Sequence, residues 1–285
     1  MNNRFLIADQ TVQVEDSALS ALLAGFESDS ENQSASGPCD QEPICSVGIA
    51  SIPPLHGVEQ LDSDYDVRHV LTLTRHPDAV LLADDLFTRM TLRSRYTEGL
   101  SDLLLLAVYS RLTYYHTVFV HGALIDDPEL GGIMFVGRSG VGKSTQAQIW
   151  NLLRRAEVIN GDKVFLSVKP EAPDEIFAYG SPWTGSSPFR VNKRVTLRAI
   201  VYLERAEENS ICKLEDPEAL MTYMPSVFMP NWDIRLTERV MDTLDLMMPR
   251  VPIYRMSCGM DSSGLVMLAR EMGAGDDLTM GDGHE

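Results

Sequence analysis

The sequence predicts a mixed α/β fold in which a small, mostly antiparallel β-rich region precedes a larger α/β core. Three observations carry this. Residues 1–95 alternate apolar and polar in short bursts, the period of half-buried strands. From Thr117 onward β-type and helical stretches mix. Between the apolar segment 133–136 and a helical run at 146–155 lies a glycine-rich turn, Gly137-Arg138-Ser139-Gly140-Val141-Gly142-Lys143-Ser144-Thr145.

In the first region, strands are expected at 4–8, 45–52, 67–73, 79–82 and 88–92, each an apolar or alternating run bounded by polar residues. Residues 27–43 (ESDSENQSASGPCDQEP) are small, polar and acidic, and read as a mobile loop. The long apolar run 97–115 reads as a helix leading into the core, so a domain boundary is expected near residue 95, with the core at 96–272. Residues 117–125 and 133–136 read as two strands separated by an Asp-Asp-Pro-Glu turn and Gly131-Gly132. Strands follow at 157–159, 164–168, 176–179, 197–203 and 210–214. Helices are expected at 217–228 and 234–247, where methionines recur at helical spacing as core fillers. A last strand at 253–257 and a helix at 262–272 complete the core, and 273–285 reads as a disordered, acidic, glycine-rich tail.

Length and composition narrow the function. The 285 residues suffice for one large core or a core with a smaller domain, and the 44% hydrophobic content is that of a globular protein. No apolar run approaches the roughly 18 residues of a membrane span. The first residues lead into alternating sequence, which predicts no export signal. Cys39, Cys45, Cys212 and Cys258 form no C-x-x-C pair, which points away from zinc or a disulfide framework and toward a reducing, cytoplasmic setting. The net charge of −17 repels nucleic acid and anionic membrane, and argues against a helicase or recombinase.

The glycine-rich turn fits G-x-x-x-x-G-K-[ST], which chance would supply in roughly 1% of chains this long. Its strand–turn–helix context is that of a phosphate-binding loop. Glycines let successive N–H groups point inward at phosphate oxygens, the helix N-terminus adds positive charge, Lys143 reaches the outer phosphates, and the Ser144 hydroxyl suits Mg²⁺. Gly137, Ser139, Gly140, Val141, Gly142, Lys143, Ser144 and Thr145 are therefore the expected nucleotide contacts. Arg138, Lys163, Arg190, Lys193 and Arg194 are the further basic residues available near polyphosphate.

Phosphoryl transfer also needs an acid to hold Mg²⁺ or accept a proton. Asp9, Asp84, Asp126, Asp162 and Glu204 each follow an apolar run. Asp162 stands 19 residues past Lys143, a gap that fits one helix, a tight return and a short strand ending at the same sheet edge. Glu204, which ends the run 197–203, is its rival. His121, in Phe-Val-His-Gly-Ala, lies one hairpin upstream of the loop, and Gly122 after it permits close backbone approach.

The His-Gly-Ala segment, the hairpin, GxSGxGKST, the short helix and the aspartate together resemble the HPr kinase/phosphorylase superfamily, akin to ATP-dependent phosphoenolpyruvate carboxykinase, over roughly residues 118–168. The resemblance implies a P-loop core of that type. It also implies active-site roles for His121, Lys143 and Asp162, with Asp162 as general base toward an acceptor hydroxyl and Ser144 and Asp162 at the metal. Where the family has an Asp-Asp pair this sequence has Gly161-Asp162, and the basic docking loop of true HPr kinases is not recognisable. Tyr179-Gly180-Ser181-Pro182-Trp183-Thr184-Gly185 resembles a segment of HPr-kinase-like proteins, some of which phosphorylate a peptide serine. Its Pro-Trp pair is either a wall of an acceptor pocket or a packed turn.

These features point to an ATP- and Mg²⁺-dependent kinase acting on a hydroxyl of a small molecule or peptide. Alternatives are a carboxykinase-like enzyme, for which no arginine cluster is found, and a nucleotide-binding regulatory module without transfer. Neither nucleic acid nor membrane is expected as a partner; a homo-oligomer is compatible with the sequence. The charge makes one direct prediction: at physiological salt, a gel-shift titration should give no shift of DNA or RNA at micromolar protein.

Overall fold

The computed structural model describes residues 3–28, 42–49, 64–169, 172–258 and 262–274. The expected loop at 27–43 and tail at 273–285 fall mostly outside them. The chain divides into two compact units, Met1–Tyr115 with Pro230–Arg239, and His116–Met229 with Val240–Glu285.

Among the described residues, the first unit carries a six-stranded sheet built from β1 (Asn3–Ile7), β2 (Gln10–Val14), β3 (Cys45–Ile49), β4 (His69–Thr72), β5 (Val80–Ala83) and β6 (Arg89–Arg93), in the order β1-β2-β3-β6-β5-β4. The pairings are antiparallel except those of β3 with β2 and β6, which are parallel. Strand β2 and the short helix α1 (Ser17–Leu22) were not expected from the sequence. The β1–β2 hairpin turns through Ala8 and Asp9, both at positive φ (51° and 60°), without the glycine that usually marks such a turn. Asp16 starts α1 by accepting from the Ala18 N–H at 2.7 Å.

Helix α2 (Thr97–Leu112) moves the boundary from the expected residue 95 to Tyr115/His116. Leu103, Leu104, Ala107, Val108 and Leu112 are fully buried, and the helix contacts β3, β5 and β6, so it is part of the first core rather than a lead-in to the second. Residues 230–239 join this unit through Arg235, which pairs with Asp85 at 3.1 Å and Asp233 at 2.8 Å, and Arg239, which lies 4.0 Å over the Tyr114 ring. Burial pushes the Cys45 thiol up to about 12, and both Cys45 and exposed Cys212 are free.

The second unit is a mixed α/β layer. Its nine strands among the described residues are β7 (Thr117–His121), β8 (Ala123–Asp127), β9 (Gly131–Val136), β10 (Glu157–Asn160), β11 (Lys163–Lys169), β12 (Ala172–Tyr179), β13 (Arg194–Arg205), β14 (Ser210–Leu214) and β15 (Ile253–Cys258). The expected single strand at 117–125 is two, broken at Gly122. Strand β13 joins two kinds of neighbour: its first residues pair antiparallel with β12, and its remainder pairs parallel with both β9 and β15. Antiparallel strands β8, β10, β14, β11 and β7 flank this parallel centre.

Helices α3 (Lys143–Arg154) and α6 (Ser263–Glu271) bury Ala147, Trp150, Leu265 and Leu268 with Phe135, Val201, Leu203 and Met256 of the central strands. Trp150 is fully buried, with its ring 6.1 Å from that of Phe135, and burial of a side chain this large contributes about 3 kcal/mol. Helix α4 (Glu218–Tyr223) and a 3₁₀ turn occupy part of the expected 217–228 helix, and α5 (Ile234–Met247) begins in the first unit and ends in the second. No described helix is long and apolar enough to cross a membrane.

The C-terminal end of α3 is fixed to the β8–β9 turn by charge. Arg154 makes a two-pronged contact with the fully buried Asp127 carboxylate at 2.7 and 2.9 Å and reaches Glu129 at 2.9 Å. Burial alone would raise the Asp127 carboxyl, but Arg154 and the N–H groups of Leu130 and Glu129 outweigh it and hold the group below its ordinary 3.8. Asp127→Asn removes the buried negative charge and leaves Glu129 as the one carboxylate on Arg154 among the described residues; it should cost about 3 kcal/mol in urea unfolding at pH 7. A depressed carboxyl contributes fully above its unfolded value and loses that contribution as pH falls through the lower folded one. The gap between wild type and variant should therefore narrow in acid.

Candidate active site

The site grows out of two places where the chain changes neighbours. Strand β7 ends at His121 and β8 begins at Ala123, while β10 ends at Asn160 and β11 begins at Lys163. One crossing lies on the other: the Gly122 N–H donates to the Asp162 carbonyl at 3.0 Å, and Lys163 stands opposite His121 in the β11–β7 ladder. A side chain at Gly122 would come within 2.9 Å of the Phe135 carbonyl, so glycine lets this crossing lie against β9.

Asn160 shapes the second crossing. It is fully buried, and its Oδ1 accepts from the backbone N–H groups of Asp162 and Lys163, both at 2.9 Å, closing a turn. Its Nδ2 donates to the carbonyls of Ser181 (3.1 Å) and Trp183 (3.2 Å). The buried Ser181 hydroxyl donates to the Lys163 carbonyl at 2.7 Å and accepts from the Trp183 N–H at 3.2 Å. Trp183 is buried, edge-on to Phe165 at 6.2 Å, so the Pro-Trp segment is a packed turn rather than an exposed wall.

This frame brings His121 and Asp162 together: His121 Nε2 lies 2.9 Å from Asp162 Oδ1. The hydrogen bond from His121 is the largest influence on the Asp162 carboxyl. With Lys163 and Lys143 nearby, it outweighs partial burial and holds the group below the ordinary carboxylate range. On the other carboxylate oxygen stands Gly185, at φ +56°, where a Cβ would come within 2.4 Å of Asp162 Oδ2. Only a glycine backbone fits there.

The glycine-rich loop runs from β9 into α3. Gly142 caps the helix at φ +115°, a conformation closed to other residues at little cost, and the first helical bond runs from Gln146 N–H to the Gly142 carbonyl. The N–H groups of the first turn of α3 have no preceding turn to bond. Lys143 is buried at 7% exposure, with Nζ donating to the carbonyls of Gly137 (3.1 Å) and Arg138 (3.3 Å). Burial lowers its pKa, against the attraction of Asp162. Ser144 is exposed, its hydroxyl 3.4 Å from the Gly161 carbonyl. Gly161 has no room for a side chain in this arrangement: a Cβ there would meet Ser187 Oγ at 2.1 Å.

The remaining sequence candidates separate. Glu204 lines a cleft of about 450 Å³ with Arg138, Ser139, Gly140, Val141, Tyr202 and Arg205, and Arg255 lies 3.8 Å from its carboxylate. The same cleft does not include Asp162. Lys193 pairs with Asp126 (2.8 Å) and Glu157 (2.6 Å), and Arg194 lies 4.8 Å over the Phe177 ring, so neither is available to phosphate. Asp126 is thereby a structural partner, Asp84 accepts from the Thr88 N–H, and Asp9 turns the first hairpin. Arg190 pairs through its backbone with Asn160 in an isolated bridge. Not singled out from the sequence are Asn160, Ser187 and Arg205, which donates to the Gly140 carbonyl. Asn160-Gly161-Asp162 carried a turn signal that was legible; the contacts of Ser187 and Arg205, which are far away in sequence, were not.

No protein family model and no curated protein matches the sequence. Among solved structures, the chain is similar to the HPr(Ser) kinase/phosphatase from Coxiella burnetii, with 12% identity over 54% of this chain and 94% of that chain, at a TM-score of 0.31.

Asn160→Ala would remove a hydrogen bond from four backbone groups, two in the part-buried turn at Asp162 and two in the buried Ser181–Trp183 segment. It should lower stability by about 3 kcal/mol, each orphaned group costing roughly 1–3 before relaxation. Asn160→Asp keeps the two acceptor bonds and should cost less. Urea unfolding of the two variants checks the order.

Proposed function

We propose that the second unit is an ATP-dependent kinase that transfers the γ-phosphoryl group to the hydroxyl of a small molecule or peptide. The observation that carries this reading is a buried loop lysine at a helix N-terminus whose charge reaches an aspartate hydrogen-bonded to histidine. A phosphate-binding loop alone would indicate only nucleotide binding. A carboxylate oriented beside it supplies what transfer to a hydroxyl needs.

In this reading the loop N–H groups and the start of α3 hold the phosphates, and Lys143 exchanges its contacts with the Gly137 and Arg138 carbonyls for phosphate oxygens. His121 keeps Asp162 ionised and fixes Oδ1, leaving Oδ2 to accept the proton of the acceptor hydroxyl. The donor set fits Mg²⁺. Ser144 and Asp162 offer hard oxygens near Gly161, a pair that substrate phosphates and water could complete around the ion. Bound there, Mg²⁺ would neutralise charge on the phosphates.

A nucleotide-binding module without transfer is the second reading, favoured by the space over Gly161 being filled by Ser187. Two variants separate them. Lys143→Ala should weaken Mg·ATP binding by more than tenfold in calorimetry, and unchanged affinity would remove the loop from both readings. Asp162→Asn should keep Mg·ATP affinity within a fewfold and lower phosphoryl transfer, assayed over a panel of alcohols and serine peptides, by on the order of 10²–10⁴. Glu204→Gln should cost much less. Wild-type binding of Mg·ATP with no transfer to any acceptor would favour the module.

A further inference from the structure

We infer that Ser187 is a phosphoryl acceptor within this chain, so that the enzyme modifies its own Thr184–Pro188 loop; this rests on the kinase reading above. Two contacts put this loop in the acceptor space. The Gly185 backbone lies against Asp162 Oδ2, the carboxylate oxygen that His121 does not engage. The Ser187 side chain lies over Gly161, where one point, the position of a Cβ on Gly161, is 2.1 Å from Ser187 Oγ and 4.0 Å from Ser144 Oγ. The Ser187 hydroxyl thus shares a small space with the hydroxyl assigned to the metal, one residue from the base. It is presented from a held loop: the Ser187 N–H donates to the Thr184 carbonyl at 2.9 Å, and Ser187 Oγ accepts from the Phe189 N–H at 3.3 Å. Buried Trp183 precedes this turn, and Phe189, packed on the core of the second unit, follows it. Ser187 itself is only partly buried.

The step balances with Mg·ATP as donor. Ser187 Oγ forms a bond to the γ-phosphorus, the bond from that phosphorus to the bridging oxygen breaks, ADP leaves with the bonding pair, and the hydroxyl proton passes to Asp162 Oδ2. No other reactant is needed. The fixed loop replaces a diffusing acceptor with one already in place, the condition under which an intramolecular transfer is fast. The product carries close to two negative charges beside Asp162 and oxygen atoms where a second acceptor would have to lie. Modification should therefore slow transfer to an external hydroxyl.

The test uses the full chain with Mg·[γ-³²P]ATP and no added acceptor, followed by peptide mass spectrometry, with Mg·ATP binding measured in parallel by calorimetry. The expected result is one phosphate on Ser187 at a rate per molecule unchanged by tenfold dilution. Lys143→Ala and Asp162→Asn should abolish it, Ser187→Ala should lose the label while binding Mg·ATP within a fewfold, and Ser187→Thr should restore it. If Mg·ATP binds and no label appears, or the label lies on Thr184, Ser186 or elsewhere, the inference is overturned while nucleotide binding stands. A rate per molecule that falls in proportion to dilution overturns acceptance within the chain. Absence of Mg·ATP binding overturns the kinase reading and this inference with it.

Discussion

The side-chain amide of Asn160 holds four backbone groups that no strand ladder reaches: two N–H groups in the turn that carries Asp162, and two carbonyls in the Ser181–Trp183 segment. Asn160 is completely buried, and its amide gives each of these groups a hydrogen bond inside the fold. Loss of the amide would therefore affect more than one turn. The position of the Asp162 carboxylate, its contact with His121 and the seating of the Thr184–Pro188 loop all rest on it.

The arrangement explains why a site can be precise although its residues come from turns. His121 and Asp162 sit at the ends of strands that are locked into ladders on one side of each turn, and the two turns are bonded to each other through Gly122. The glycine-rich loop is likewise held between a central parallel strand and a helix whose far end is clamped by Arg154 and Asp127. Strand β13 links the two regions, since its first residues continue the β12 side and the rest supports β9 beside the loop. Positioning by rigid elements is what the proposed transfer would require, because misplacement by about 1 Å is costly to a reaction that depends on alignment.

Much of the second unit was legible because its elements are local: strands with apolar runs, the loop motif, and helices with a buried stripe all write their signal in adjacent residues. The spacing from Lys143 to Asp162 also carried through, as α3, β10 and a tight turn fill it. What was not legible depends on distant contact. The division of 117–125 at Gly122 follows from the Phe135 carbonyl behind it, and the place of α2 in the first unit follows from the sheet it covers. Lys193 and Arg194 looked like phosphate contacts, but their partners Asp126, Glu157 and Phe177 are only found in the fold. The β1–β2 hairpin escaped because alanine and aspartate adopt a turn conformation that glycine or asparagine would have announced.

The crowding between Gly161 and Ser187 has a consequence for how this sequence can vary. Two backbone positions 26 residues apart open onto a volume that holds a single side chain. An acid at 161 requires that 187 retreat to glycine or that its turn shift outward, and a hydroxyl at 187 requires glycine at 161. The two sites therefore form one composite position with room for a single side chain. Among sequences sharing this architecture they should covary as a pair, and exchange through a doubly occupied intermediate is barred by overlap rather than by chemistry.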